Sequence, residues 1–305
     1  MRILLTGASG RLARALLPVL LNDDAVTQLI GVDLAPPLLQ HPKYEFLRAD
    51  FRAPRALAAL AGCDALIHAG FVVMRARLGR DRAHMRAINV DGSAALFAHA
   101  REMGVRQIVF LSSAAVYGLP AAQPVDEDAA RRSLPSFFYA EDKIAVEASL
   151  DAMVARGDAP RIVRLRPHAI LGPHAHPFLR ALLRAPVRIG SPIPAPQLQC
   201  VHELDVAAAV LAAVKHAPHG AFNLACANSA SLNDMQAMLG GRGVRVSARI
   251  ARTAMTLAWY ARLAPTDPAW MQALSFDLTL DTRRARAALG WRPCFDSVRD
   301  CVLAS

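Results

Sequence analysis

The chain has 305 residues, 54% of them hydrophobic and 20% charged, which excludes a disordered chain and a cross-linked mini-protein and leaves room for one core with a small appended lobe. Its 35 Lys and Arg against 25 Asp and Glu give a net charge of +10, but the cations are nearly all arginines spread along the chain. With no basic block, zinc-finger spacing or aromatic-basic platform, the charge reads as solvation and no nucleic-acid partner is expected.

No stretch approaches the ~18 uninterrupted apolar residues of a membrane span. The apolar start Ile3-Leu4-Leu5 is broken at once by Thr6-Gly7-Ala8-Ser9-Gly10, so neither a signal peptide nor a membrane partner is expected. The cysteines, Cys63, Cys200, Cys226, Cys294 and Cys301, are odd in number and form no C-x-x-C pair. They read as thiols of a reducing compartment, and a cytoplasmic location follows.

Along the chain, short apolar runs predict strands near 2–6, 26–33, 44–48, 64–69, 106–112 and 161–166. Amphipathic stretches predict helices between them near 11–21, 54–61, 82–103 and 139–156. This alternation is the signature of an α/β fold with a parallel sheet. After Pro167 the texture changes, with Pro173, Pro177, Pro186, Pro192, Pro194 and Pro196 forbidding long elements and suggesting loops around a site. A helix near 203–216 and a strand near 221–225 return to the sheet, and helical patterns near 231–239, 253–263 and 283–289 build a smaller lobe. The expected division is 1–167 plus about 198–227 for the main domain, and 168–197 with 228–305 for a C-terminal substrate lobe.

Residues Thr6 to Ala13 join the first strand to the first helix, with Gly7, Gly10 and Ala13 in a G-x-x-G-x-x-A pattern. Small residues there allow a tight turn, backbone approach to a pyrophosphate and close packing of helix on strand, while the helix N-terminus adds partial positive charge. Asp33 ends the second strand at about the ~20-residue offset at which a carboxylate accepts ribose hydroxyls and repels a 2′-phosphate. That favours NAD over NADP, with Arg11 the one dissenting residue.

The strand Ile108 to Leu111 delivers Ser112 and Ser113 at its C-terminal end, the edge where open α/β sheets bind ligands. Tyr139 lies 26 residues beyond Ser113, and Lys143 follows it four residues later, one helical turn away on the same face. Bringing a tyrosine from its ordinary pKa near 10 to about 7 takes roughly 4 kcal/mol. An ammonium ~4 Å away supplies about that much at an effective dielectric near 20. Tyr139 is therefore expected to exchange a proton with a substrate oxygen held by Ser113, with Lys143 lowering the phenol pKa and binding the nicotinamide ribose.

This combination resembles the extended short-chain dehydrogenase/reductase superfamily, in its NAD-dependent epimerase/dehydratase group. The matching stretches include Thr6 to Ala13, Asp33, Ala49 to Arg52, Leu66 to Gly70, Asn89 to Ser93, Ser112 to Gly118, Tyr139 to Lys143, Leu165-Arg166-Pro167, Gly172-Pro173, Val201 to Ala207 and Leu289 to Pro293. The resemblance implies a Rossmann doubly wound sheet with catalytic Ser113, Tyr139 and Lys143. It implies a cofactor site of Gly7, Ser9, Gly10, Arg11, Leu12, Asp33, Asp50, Phe51, Ala69, Gly70, Asn89, Tyr139, Lys143, Pro167 and His168, with no metal. Asp50 would meet adenine, Asn89 would steady the site's backbone, and Pro167 and His168 would face the nicotinamide; His202 reads as structural.

Two departures bear on substrate. Many nucleotide-sugar members carry an asparagine and an arginine, both diphosphate ligands, where this chain has Ala169 and Leu198. Other arginines, Arg75, Arg77, Arg80, Arg82 and Arg86 and the i+4 series Arg180, Arg184 and Arg188, offer either a solvated face or an anionic substrate site.

The expected activity is hydride transfer between nicotinamide and a secondary alcohol or ketone carbon of a small-molecule substrate. The alternatives are a nucleotide-sugar epimerase or dehydratase with tightly bound NAD and, from another class, a non-catalytic dinucleotide sensor. By resemblance to dimeric relatives, the helices near 82–103 and 139–156 would pair two copies into a homodimer.

Overall fold

The computed structural model describes residues 1–73, 79–157, 159–190, 194–216, 219–240, 243–261, 263 and 268–305. In chain order the first half runs β1 (Arg2–Thr6), α1 (Ala13–Leu21), β2 (Gln28–Asp33), β3 (Tyr44–Arg48), α2 (Pro54–Ala58), β4 (Ala65–His68), α3 (Gly79–Arg86), α4 (Ser93–Glu102) and β5 (Gln107–Leu111). It continues with α5 (Phe138–Ala155), β6 (Arg161–Pro167), β7 (Ala169–Leu171), α6 (Pro177–Leu183), β8 (Val187–Gly190), β9 (Cys200–His202), α7 (Glu203–His216) and β10 (Gly220–Leu224). The last third holds α8 (Leu232–Met238), β11 (Val244–Ser247), α9 (Ala248–Tyr260), α10 (Ala269–Ala273), α11 (Arg283–Ala288) and α12 (Val298–Leu303). Among the described residues no helix is long and apolar enough to cross a membrane.

Seven strands form one parallel sheet in the order β10-β6-β5-β4-β1-β2-β3, the doubly wound arrangement expected. Its core follows from the period of two along each strand. Ile3 and Leu5 of β1 and Val109 and Leu111 of β5 face one side, against α1 and α7. Leu4, Ile108 and Phe110 face the other, against α4 and α5. The C-terminal residues Ala285, Leu289 and Trp291 are buried in the first of these clusters, with the main sheet. Trp291 Nε1 donates to the Asp205 carbonyl at 2.8 Å, and Asp205 Oδ1 accepts from the Cys294 amide at 2.6 Å. Two stretches far apart in sequence are thus tied together.

The predicted helix near 82–103 is α3 and α4 joined by a wide π-helical turn over residues 87–92. Gly92 is needed in that turn, because a Cβ there would lie 2.8 Å from Arg52 Cδ. The proline-rich region carries more order than loops alone, with β7 pairing β9 and β8 pairing β11 in two small parallel sheets. These strands are three or four residues long, too short for an alternating pattern to register.

One buried ion pair ties helix to sheet. Glu147 of α5 is wholly buried, and it accepts from Arg166 Nε at 3.0 Å and Nη2 at 2.5 Å, from Arg131 at 3.1 Å and from Ser112 Oγ at 2.6 Å. Burial alone would raise its pKa; Arg166, Ser112 and Arg131 together hold the carboxyl below its ordinary value. Removing one member of such a pair strands the other charge in the interior. Glu147→Leu is expected to lower unfolding free energy by about 3–5 kcal/mol in urea titrations, and a loss under about 1 kcal/mol would contradict the clamp.

Candidate functional site

Between β1 and α1 the chain turns back on itself, with the Gly10 amide donating to the Gly7 carbonyl at 2.9 Å. Gly7 sits at φ +75°, and a Cβ there would lie 2.7 Å from the Gly70 nitrogen and 2.8 Å from the Ala69 carbonyl carbon. Only glycine meets both demands. The Asp33 carboxylate accepts from the Ser9 amide at 3.0 Å and from the Leu34 and Ala35 amides at 2.7 and 3.1 Å. Those bonds fix its orientation beside the turn.

A relay of side chains supports the turn from beneath. The Gly70 amide donates to Thr6 Oγ1 at 3.2 Å, and Thr6 Oγ1 meets His68 Nδ1 at 2.7 Å. His68 Nε2 meets Ser93 Oγ at 2.8 Å, and Ser93 Oγ donates to the Asn89 carbonyl. Since Ser93 donates onward, His68 must donate from Nε2 and accept at Nδ1. Burial and the nearby Lys143 push its pKa down to about 3, so the ring is neutral. Asn89, in the π-helical turn, donates to the Val72 carbonyl and Asp142 at 3.0 Å each and accepts from the Val72 amide at 2.8 Å. It steadies the chain beyond Gly70.

On α5, Tyr139, Lys143 and Glu147 follow at four-residue intervals and share a face. Ser113 caps the short 3-10 helix after β5, accepting from the Ala115 amide at 3.2 Å. Its hydroxyl also acts on the Tyr139 phenol, pulling its pKa down. The expected lowering of the phenol is not what this geometry produces. Burial pushes Tyr139 up to about 12, opposed only by Ser113. Lys143 turns away, donating to the Leu111 carbonyl with Nζ 3.6 Å from the Phe71 ring centroid and 5.8 Å from that of Tyr139. Buried itself, it is pulled down to about 7 despite Glu147 and Asp142. Burial thus drives both groups toward their neutral forms.

A cavity of about 450 Å³ opens above these residues. One end is the glycine turn, with Gly7, Gly10, Arg11, Leu12 and Ala13; the middle holds Ala69, Ser113, Tyr139, Pro167 and His168. The rest of the wall is largely apolar, with Phe137, Phe178, Leu198, Trp270, Leu274 and Leu278, and carries His174, His176 and Glu203 as polar members. His168 Nδ1 accepts from the Ala169 amide at 2.7 Å, while its buried Nε2 has no hydrogen-bond partner. Burial pushes the ring down to about 4. The site fits a dinucleotide: a backbone cradle that a Cβ would close, an oriented carboxylate at Asp33, and an unsatisfied ring nitrogen at His168.

Of the residues anticipated, Ser9, Asp33, Gly70 and Asn89 border the turn, and Lys143 lies behind Phe71. Asp50 is engaged by Arg52 at 2.6 Å, and Phe51 packs edge-on against His68 at 5.2 Å; neither lies on the cavity wall. Arg82 and Arg86 pair with Glu141 and Asp142, Arg180 donates to the Pro173 carbonyl, and Arg184 reaches the Ser305 carbonyl. None of these four lines the cavity, and Arg75 and Arg77 lie outside the described residues. Both substituted positions, Ala169 and Leu198, are on the wall. The sequence reading missed Trp270, whose ring centroid lies 5.1 Å from that of Tyr139, and His174, bound to Glu203 at 2.7 Å. Trp270 carries no motif; His174 had a signal in Gly172, where a Cβ would strike Glu203 at 2.6 Å.

The buried amine makes a stability prediction. Unfolded, Lys143 titrates near 10.4, and folded near 7, so between those values the unfolded chain holds more protons and stability rises with pH. Lys143→Met should be more stable than wild type at neutral pH, by a few kcal/mol at about 1.4 per pKa unit. The advantage should shrink toward pH ~10. Chemical denaturation across that range checks it, and parallel curves for the two proteins would refute it.

The profile of the NAD dependent epimerase/dehydratase family matches residues 3–225. UDP-glucose 4-epimerase of Mycolicibacterium smegmatis is 29% identical over 317 residues, spanning 96% of this chain and 94% of its own length. The uncharacterized protein y4nG of Sinorhizobium fredii is 26% identical over 306 residues, spanning 96% and 75%. Among solved structures, MoeE5 in complex with UDP-glucuronic acid and NAD superposes with a TM-score of 0.79 at 22% identity, covering 100% of this chain and 97% of that one. The sheet order and the glycine cradle agree with that match, and the chain belongs to the NAD-dependent epimerase/dehydratase family of enzymes, with NAD as its cofactor.

Proposed function

We propose that this enzyme moves hydride between NAD and a secondary alcohol or ketone carbon of a substrate that is apolar around that carbon and bears no diphosphate. The observation that carries the reading is the wall: Ala169 and Leu198 occupy the places where many nucleotide-sugar relatives carry diphosphate ligands. Aromatic and aliphatic side chains line the far end. Each ionic hydrogen bond forgone there is worth ~1.5–3 kcal/mol.

When bound, the cofactor supplies the hydride acceptor or donor. Gly7, Gly10 and the α1 N-terminus receive its phosphates, Asp33 its ribose, and Pro167 and His168 border its reactive end. Ser113 holds the substrate oxygen by hydrogen bond. Tyr139, protonated in this geometry, donates to a carbonyl oxygen in the reductive direction and takes the proton back in the oxidative one. Lys143 has N–H groups beyond the one donated to Leu111 with which to meet the ribose. Residues 1–167 with about 198–227 carry the cofactor in this reading, and 168–197 with 228–305 select the substrate.

The test is turnover of apolar secondary alcohols and ketones beside UDP-sugars, followed by NADH absorbance. Tyr139→Phe is expected to lower kcat at least ~100-fold with NAD affinity unchanged. Full activity in the variant rejects the acid/base role. Turnover of UDP-sugars alone, with NAD retained through purification and no net NADH, would replace this reading with an epimerase that returns its hydride.

We also propose a homodimer through α4 and α5, whose outer faces carry the exposed small residues Ala95, Ala148 and Ala152, allowing close helix approach. Sedimentation velocity at micromolar concentration should give twice the chain mass. A monomer alone would reject the pairing.

A further inference from the structure

Behind the cavity wall, outside the proposed chemistry, three cysteines converge from distant parts of the sequence. Cys200 lies on β9, Cys226 follows β10 and Cys301 belongs to α12; all three are buried and unpaired. Their sulfurs lie within 4.8 Å of one another, with Cys200 and Cys226 4.0 Å apart. Cys301 Sγ donates to the Phe295 carbonyl at 3.3 Å, and Cys226 Sγ to the Asn228 carbonyl at 3.4 Å.

We propose that Cys200, Cys226 and Cys301 form a three-thiolate site for a thiophilic d10 dication of the zinc class. A tetrahedral ion with Zn–S bonds of ~2.3 Å holds its sulfurs about 3.8 Å apart, so these thiols need to contract by less than ~1 Å to embrace one. A disulfide would require one pair to close to ~2.05 Å and would leave the third thiol unused. The two carbonyls already facing the cluster stand ready for a fourth position. Binding forms three sulfur–metal bonds and releases up to three protons to solvent, with no change of oxidation state.

The cluster sits one residue from the cavity. Cys200 pairs in register with Ala169, and the His168 amide donates to the Leu224 carbonyl at 2.9 Å, two residues before Cys226. Drawing the sulfurs together therefore pulls on the strands that carry His168 and Ala169.

The test uses metal-free, reduced full-length protein titrated with Zn2+ against a chromogenic chelator, and with Cd2+ while following thiolate-to-metal charge-transfer absorbance. One ion per chain is expected, unchanged in Cys63→Ser/Cys294→Ser and weakened at least ~100-fold in Cys200→Ala and in Cys301→Ala. NAD binding by those variants reports their folding. Should they not fold, the wild type still decides: Zn2+ must slow alkylation of the Cys200, Cys226 and Cys301 peptides and leave Cys294 unaffected. Absence of stoichiometric binding, a missing Cd2+ band, unaltered alkylation, or binding that survives loss of all three thiols would each overturn the site. None of these readouts depends on turnover, so failure here is separable from failure of the proposed activity.

Discussion

A carboxylate sealed from water must find its countercharge inside the protein, and Glu147 finds it in Arg166 and Arg131. That pairing ranks above the other polar contacts because of where it lies. It joins the middle of α5 to β6 and, through Ser112, to the end of β5. Arg166 extends the clamp by donating to Tyr117 Oη at 2.8 Å; Tyr117 donates to Asn223 Oδ1 at 2.6 Å, reaching β10. Three neighbouring strands and one helix are thereby held in register at the C-terminal edge of the sheet. Tyr139 stands eight residues before Glu147 on the same helix face, so fixing one end of that face fixes the other.

The same burial that makes the clamp strong sets the charge state around it. His68, His168 and Lys143 are all depressed and Tyr139 is raised, four shifts with one cause and one direction: toward the neutral form. A lysine that stays charged needs partners, and Lys143 has the Leu111 carbonyl and the faces of Phe71 and Phe110. Those contacts orient it without fully compensating its charge. Hydroxyl groups brought against that nitrogen would restore the solvation it lacks, favour the ammonium and, through it, the phenolate. The protonation of the pair is thereby coupled to what fills the cavity.

Much of the fold was legible because β1, β5 and β6 are long, apolar and bounded by glycine or serine turns, and because a parallel sheet needs the helices that alternate with them. Gly7 and Asp33 were legible for a sharper reason, since a positive φ and a carboxylate at a strand end leave few substitutes. The short strands β7, β8, β9 and β11 were not, because three or four residues carry no periodic signal and their pairing is decided by the tertiary surroundings. The π-helical turn between α3 and α4 was invisible for a related reason: Gly92 packs there against Arg52 and Phe51, a long-range contact that no local pattern records. At the site, the sequence gives the distance of Lys143 from Tyr139 along a helix but not the Leu111 carbonyl and the Phe71 and Phe110 rings that surround its nitrogen.

The cavity is chemically lopsided, and that asymmetry bears on selectivity. At the turn end, backbone amides, a helix N-terminus and Arg11 offer positive potential to phosphate. At the far end, Trp270, Leu274, Leu278 and Leu198 offer none. Glu203, the acidic residue of the wall, is already bound through both oxygens to His174, at 2.7 and 3.1 Å. A substrate carrying two negative charges against the apolar part of the wall would surrender its hydration there, a cost that grows as the surroundings exclude water. An apolar ring would instead gain about 25 cal/mol for each Å² it buries. In the proposed activity, selectivity would arise as much from the donors that Ala169 and Leu198 withhold as from the surface that the aromatic wall provides.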